Sequence, residues 1–140
     1  MKTLVLSVIA AAVLAGCATA QISDSDRLAL YQANAGAPVN TIMYTSPRGW
    51  DRVDSEHIVV DMAPNRQWLL TLSGNCLDWG TGSPFIGLEP KIGGMLAKFD
   101  EVHVKGAPMS CRINEIRPVN IKAIRASENA LREQAKAQKS

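Results

Sequence analysis

The side chains able to do chemistry in this sequence are three cysteines (Cys17, Cys76, Cys111), two histidines (His57, His103) and the carboxylates Asp51, Asp54, Glu56 and Asp61. A nucleophilic thiol needs a positioned base and a depressed pKa, and the sequence supplies neither. No C-x-x-C or H-x-x-x-H pair brings metal ligands together, so no metal and no cofactor is expected. Ser83 stands between Gly82 and Pro84 outside any G-x-S-x-G elbow, and Pro84 would hinder the helix that such an elbow feeds. The surrounding GTGSPFIG matches neither G-x-G-x-x-G nor the Walker pattern. One enzymatic option remains, a hydrolase using Asp51, Glu56 or His57 beside Trp50 as acid and base. Acidic residues around a turn are far more often solvated surface groups, so the enzyme reading ranks second.

The amino terminus reads MKTLVLSVIAAAVLAGCATA, with one positive residue, Lys2, before an apolar run over residues 4–14. That is the n-region and h-region of a secretory signal, too short for a permanent bilayer-spanning helix. The run ends in Leu14-Ala15-Gly16-Cys17, which resembles the lipobox of bacterial lipoproteins. The resemblance implies a signal peptide over 1–16 and a diacylglycerol on Cys17. Each buried methylene adds about 0.8 kcal/mol, and two or more acyl chains hold a protein on a membrane where one does not. Ala18 after the cysteine favours the outer membrane by analogy with lipoprotein sorting. The alternative is an ordinary secreted protein cut near Ala18-Thr19-Ala20, with Cys17 lost in the leader.

After residue 16, 124 residues remain, enough for one domain with one core. They carry 14 basic and 13 acidic side chains, a balance that gives no argument for nucleic acid, which an envelope address also disfavours. Beyond the membrane, reached through the N-terminal lipid, the partners to expect are another envelope protein or a glycan. Cys76 and Cys111 are the two cysteines left in an oxidising compartment, where a disulfide is the default expectation.

These groups must be positioned by the elements around them. Residues 17–23 form a lipidated N-terminus and tether, 24–126 one β-rich domain, and 127–140 the polar end of a C-terminal helix. DSDRLALYQANA, with Asp and Ser at its start and Gly36 after it, predicts a helix over 24–35. VNTIMYT, EHIVVDM, RQWLLTL, KFDEVHVKG and CRINEI predict strands at intervals of roughly 8 to 12 residues. The expected fold is therefore mainly β, a small barrel or roll of about five to six strands with a helix at each end.

In RQWLLTL, Trp68, Leu70 and Leu72 share one face while Leu69 and Thr71 share the other. Both faces are largely apolar, which predicts a central strand covered by the barrel interior on one side and a helix on the other. In DEVHVK, Val102 and Val104 point inward and His103 outward. Ser46-Pro47-Arg48-Gly49, Ala63-Pro64-Asn65, Ser73-Gly74-Asn75 and Gly106-Ala107-Pro108 read as turns. The glycine-rich stretch over residues 77–96 reads as a long loop and a candidate binding surface. The candidate surface residues are Trp50, Trp79, Ser83 and Phe85, with capping of the barrel's open end the simpler use of Trp50 and Trp79. The last segment predicts a helix from near Asn120, with Ile121, Ile124 and Leu131 on one side and an i,i+4 pair of Glu128 with Arg132.

RGW, HIVVDM, NRQWLLTLSGNC, FDEVHVKG and SCRINEIRPV, in that order, resemble a family of small Gram-negative lipoproteins and exported proteins known only as a domain of unknown function. The resemblance covers residues 48–119. It implies a mostly β domain in which Cys76 and Cys111 match the family's two cysteines, and it carries no catalytic residues. The expected function is a non-catalytic binding or envelope-maintenance module, for instance an inhibitor of an envelope hydrolase. The rivals are the hydrolase above and a structural partner of another envelope protein.

Overall fold

The computed structural model describes residues 22–45, 47–62, 65–74, 76–78 and 86–138. Its first element is helix α1 (Asp24–Ala33), opened by Ser23, whose hydroxyl accepts the Asp26 amide hydrogen at 3.2 Å. Eight strands follow: β1 (Thr41–Met43), β2 (Pro47–Arg52), β3 (His57–Met62), β4 (Arg66–Ser73), β5 (Ile86–Glu89), β6 (Met95–Ala97), β7 (Glu101–Val104) and β8 (Cys111–Val119). Helix α2 (Ile121–Ala137) ends the described chain, capped by Asn120 Oδ1, which accepts the Ala123 amide hydrogen at 3.2 Å.

Six strands form one antiparallel sheet in the order β2-β3-β4-β8-β7-β5, curled into a half-barrel, and β1 pairs with β6 in a second, two-stranded sheet. The fold is mainly β with a helix at each end, as expected. β4 is central, and its two faces serve two cores. Leu70 and Leu72 join Ile58, Val60, Ile113 and Ile116 on the concave side, where Ile42 and Leu96 of the small sheet cover them. Leu69 and Val59 face the other way, against Tyr31 of α1 and Ile124 of α2. The layers are thus helices, six-stranded sheet and two-stranded sheet, which explains why HIVV and WLLTL are apolar on both faces.

Three strands arise where the sequence suggests turns or loop. Pro47, Arg48 and Gly49 begin β2 instead of forming a turn, with the register against β3 shifting between Pro47 and Gly49. β2 is an edge strand, and edges accept proline and bulges because one side of the backbone needs no ladder partner. Within the segment expected as a glycine-rich loop, residues 86–89 pair with β7 as β5, and 95–97 pair with β1 as β6. In the segments expected as turns, Asn65, Gly74 and Gly106 all adopt positive φ.

Cys76 and Cys111 form a disulfide with Cα atoms 5.9 Å apart, joining the chain just after β4 to the first residue of β8. At the other end of β8, past its pairing with β7, the exposed ladder is covered by residues 35–39. The Gly36 amide donates to Pro118 O at 2.8 Å, Val39 to Ile116 O at 2.9 Å, and Asn120 to Asn34 O at 3.1 Å. α1 is further tied down by Arg27. Its Nη1 donates to Arg52 O at 3.1 Å, and its Nε lies 3.5 Å from Glu128 Oε1 on α2. Glu128 therefore serves the helix–helix contact and not the expected i,i+4 pair with Arg132, because the tertiary partner lies on the buried side. Tyr31 sits in the same contact, and burial, reinforced by Glu128, raises its hydroxyl pKa above the ordinary 10.0.

Candidate functional site

Of the four residues expected to form a binding surface, Trp50 is in the described structure, whereas Trp79, Ser83 and Phe85, like Cys17, lie outside the described residues. Trp50 is half-buried in β2 and packs against the concave core. β2 and β5 are the two edges of the half-barrel, and residues of both line a slot of about 190 Å3 that includes Tyr44, Trp50, Val60, Ile86 and Leu88. Trp50 thus caps the side of the half-barrel where the sheet does not close.

The proposed acid–base set does not assemble around Trp50. Neighbours in a strand point to opposite faces, so Trp50 joins the concave core while Asp51, in register with Val59, belongs to the helix side. His57 Nδ1 lies 2.7 Å from Asp54 Oδ1, and the same oxygen accepts the Glu56 amide hydrogen at 2.8 Å. That pair closes the β2–β3 hairpin, while the Glu56 side chain is exposed. Neither His57 nor Glu56 lines the slot or the grooves that follow.

The larger concavity runs along the start of α2. A groove of about 850 Å3 is lined by Asn34, Asn65, Gln67 and Asn120 with Lys122 and Arg125, and Asp61 lies on its β3 side. Asp61, Gln67, Ile121 and Arg125 also line an adjoining hollow of about 270 Å3 that extends to Asp51 and Trp50. The two share Asp61, Gln67, Ile121 and Arg125 and form one trough, walled by the sheet and by the first turns of α2.

Several of its amides are held at one end by the protein. Asn34 Nδ2 donates to Leu30 O at 2.8 Å, Asn120 Oδ1 caps α2, and Gln67 Nε2 donates to Asp61 Oδ1 at 2.9 Å. Each is thereby fixed in orientation, and its other polar end has no protein partner among the described residues. Lys122 and Arg125, three residues apart on α2, likewise have no ion pair among the described residues, and the first turn of the helix carries no acidic residue. Fixed amides and cations of this kind suit hydroxyls and an anion. Among the described residues, one other set of side chains converges, Glu89, Glu101 and His103 on the far edge of the sheet.

Sequence reasoning missed this trough, because its polar residues come from five separate segments and each is unremarkable alone. The signal available was the pair Lys122 and Arg125 at the opening of a helix, where the dipole disfavours cations.

The fold and its trough define a small β-rich domain with a polar groove. The chain belongs to a family of unknown function (DUF6491), whose model matches residues 1–135. No curated protein and no solved structure matches it.

Proposed function

We propose that the chain is a lipid-anchored protein of the cell envelope, facing the periplasm from the outer membrane, and that its β domain is a non-catalytic module binding an acidic saccharide. The observation that carries the binding reading is the trough, with three amides fixed at one end, Asp61, and two cations without carboxylate partners among the described residues. Side-chain amides and carboxylates suit hydroxyl groups, and Lys122 with Arg125 suits a carboxylate or phosphate. The anchor reading rests on Leu14-Ala15-Gly16-Cys17 after an apolar leader.

Calorimetric titration with acidic oligosaccharides and their neutral counterparts tests the binding. Retention of the acidic forms, weakened about tenfold or more by Arg125→Ala or by Gln67→Ala, is the expected result. Equal affinity in the Arg125→Ala protein, or no saccharide bound by the parent, overturns the reading. The anchor is tested separately by intact mass of the membrane fraction. A diacylglycerol adduct lost in Cys17→Ser is expected, and a mature chain beginning beyond Cys17 refutes it.

A further inference from the structure

Glu89 and His103 are separated by 14 residues in the sequence, and Glu101 precedes His103 by two. The register of β5 against β7 sets Gly87 opposite His103 and Glu89 opposite Glu101. Residues two apart in a strand share a face, so all three functional side chains lie on the side of β7 opposite to buried Val102 and Val104. His103 Nε2 is 3.3 Å from Glu89 Oε2 and 3.6 Å from Glu101 Oε2, and the donor atoms of the three lie within 4.8 Å of one another.

Two carboxylates directly opposite each other on adjacent strands repel, so a positive charge held between them is stabilising. We infer that Glu89, Glu101 and His103 form a binding site for a divalent transition-metal ion, of which Zn2+ is the representative. A divalent ion brings two charges to two carboxylates, where a protonated imidazole brings one. The imidazole donor selects this class over Mg2+ and Ca2+, which take oxygen ligands. Three protein donors leave a fourth position of a tetrahedral ion to solvent, the pattern of an open site. Gly87 has no side chain to crowd the ring opposite it, and the ladder fixes the backbones of β5 and β7. Glu101 has two further neighbours, Ser110 Oγ, which donates to its Oε2 at 3.4 Å, and Arg112, its register partner on β8. Both leave the Glu89 side of the cluster unchanged.

The test is isothermal titration of ZnCl2 into the full chain carrying Cys17→Ser, so that no thiol competes, with MgCl2 as the contrast. One ion per chain at micromolar affinity is expected, with no heat from Mg2+. His103→Ala should weaken binding at least tenfold and Glu89→Gln about threefold to tenfold, while His57→Gln leaves it unchanged. The His103 and Glu89 side chains are 45% and 68% exposed, so these substitutions remove no core packing. Imidazole NMR adds a direct reading, since binding should move the Nε2 resonance of His103 and not that of His57. No binding at 1 mM Zn2+, or unchanged affinity in His103→Ala, overturns the inference.

Discussion

Breaking the Cys76–Cys111 bond frees the ends of a closed loop in the unfolded chain, and the magnitude follows from the length of that loop. The cysteines are 35 residues apart in sequence, so the loop-entropy model gives a stabilisation of about 4 kcal/mol at 25 °C. A domain of this size unfolds with an entropy of roughly 0.25 kcal/mol/K, so the expected loss in Tm is about 15 °C. Two unlinked forms separate linkage from packing. The reduced parent keeps both sulfurs in their buried sites, whereas the Cys76→Ala/Cys111→Ala chain also removes them from the core. Urea unfolding at neutral pH should show the full loss in the reduced parent and about 1 kcal/mol more in the double variant. The denaturant slope should rise in both, because an unlinked denatured chain exposes more surface. A reduced parent within 1 kcal/mol of the oxidised one, with the same slope, would refute the reasoning.

Four further outcomes are expected. Ile124→Ala removes a fully buried side chain between α2 and the sheet and should cost about 2–4 kcal/mol, measured by urea unfolding. Gly36→Ala places a Cβ 2.9 Å from Pro118 Cγ beside the backbone bond that seats residues 35–39, so a loss of about 1–3 kcal/mol is expected by the same measurement. Tyr31 has a folded pKa raised above 10.0, so its contribution is complete below pH 10 and declines as pH rises further, when the unfolded chain ionises first. Urea midpoints from pH 8 to 11 should therefore fall more steeply in the parent than in Tyr31→Phe, and parallel curves would contradict it. Phe99 holds φ at 74° while the residue is 58% exposed, so Phe99→Asn relieves backbone strain at the loss of the Lys98 ammonium 5.2 Å over its ring, and should raise Tm by about 1–3 °C in a thermal melt.

Where the sequence carries period-two alternation, it announces the structure. RQWLLTL states both that β4 is a strand and that both its faces are covered, and Leu69 and Leu70 duly enter different cores. The alternation of Val102, His103 and Val104 is equally readable. β2 escapes such reading because Pro47 and Gly49 are the residues of turns, and only its place at a sheet edge makes them tolerable. β5 and β6 are short and lie among glycines, so their strand character comes from β7 and β1 and not from local preference. The candidate sites are less legible still. The trough draws on turns, a cap and two strands, and the Glu89–Glu101–His103 cluster exists only through register, which the sequence between residues 89 and 101 does not reveal.

The coverage of β8 by residues 35–39 sets an order of events during synthesis. Ala35 bridges Val119, and α1 meets α2 through Arg27 and Glu128, so the first described residues wait for partners made more than 80 residues later. The β2–β3–β4 meander has neighbours close in sequence and can form early, whereas α1 and the strap behind it stay unseated until β8 and α2 have emerged. A chain cut short before residue 121 therefore leaves both Tyr31 and the apolar face of Val59 and Leu69 open to water, a ready handle for quality-control proteolysis.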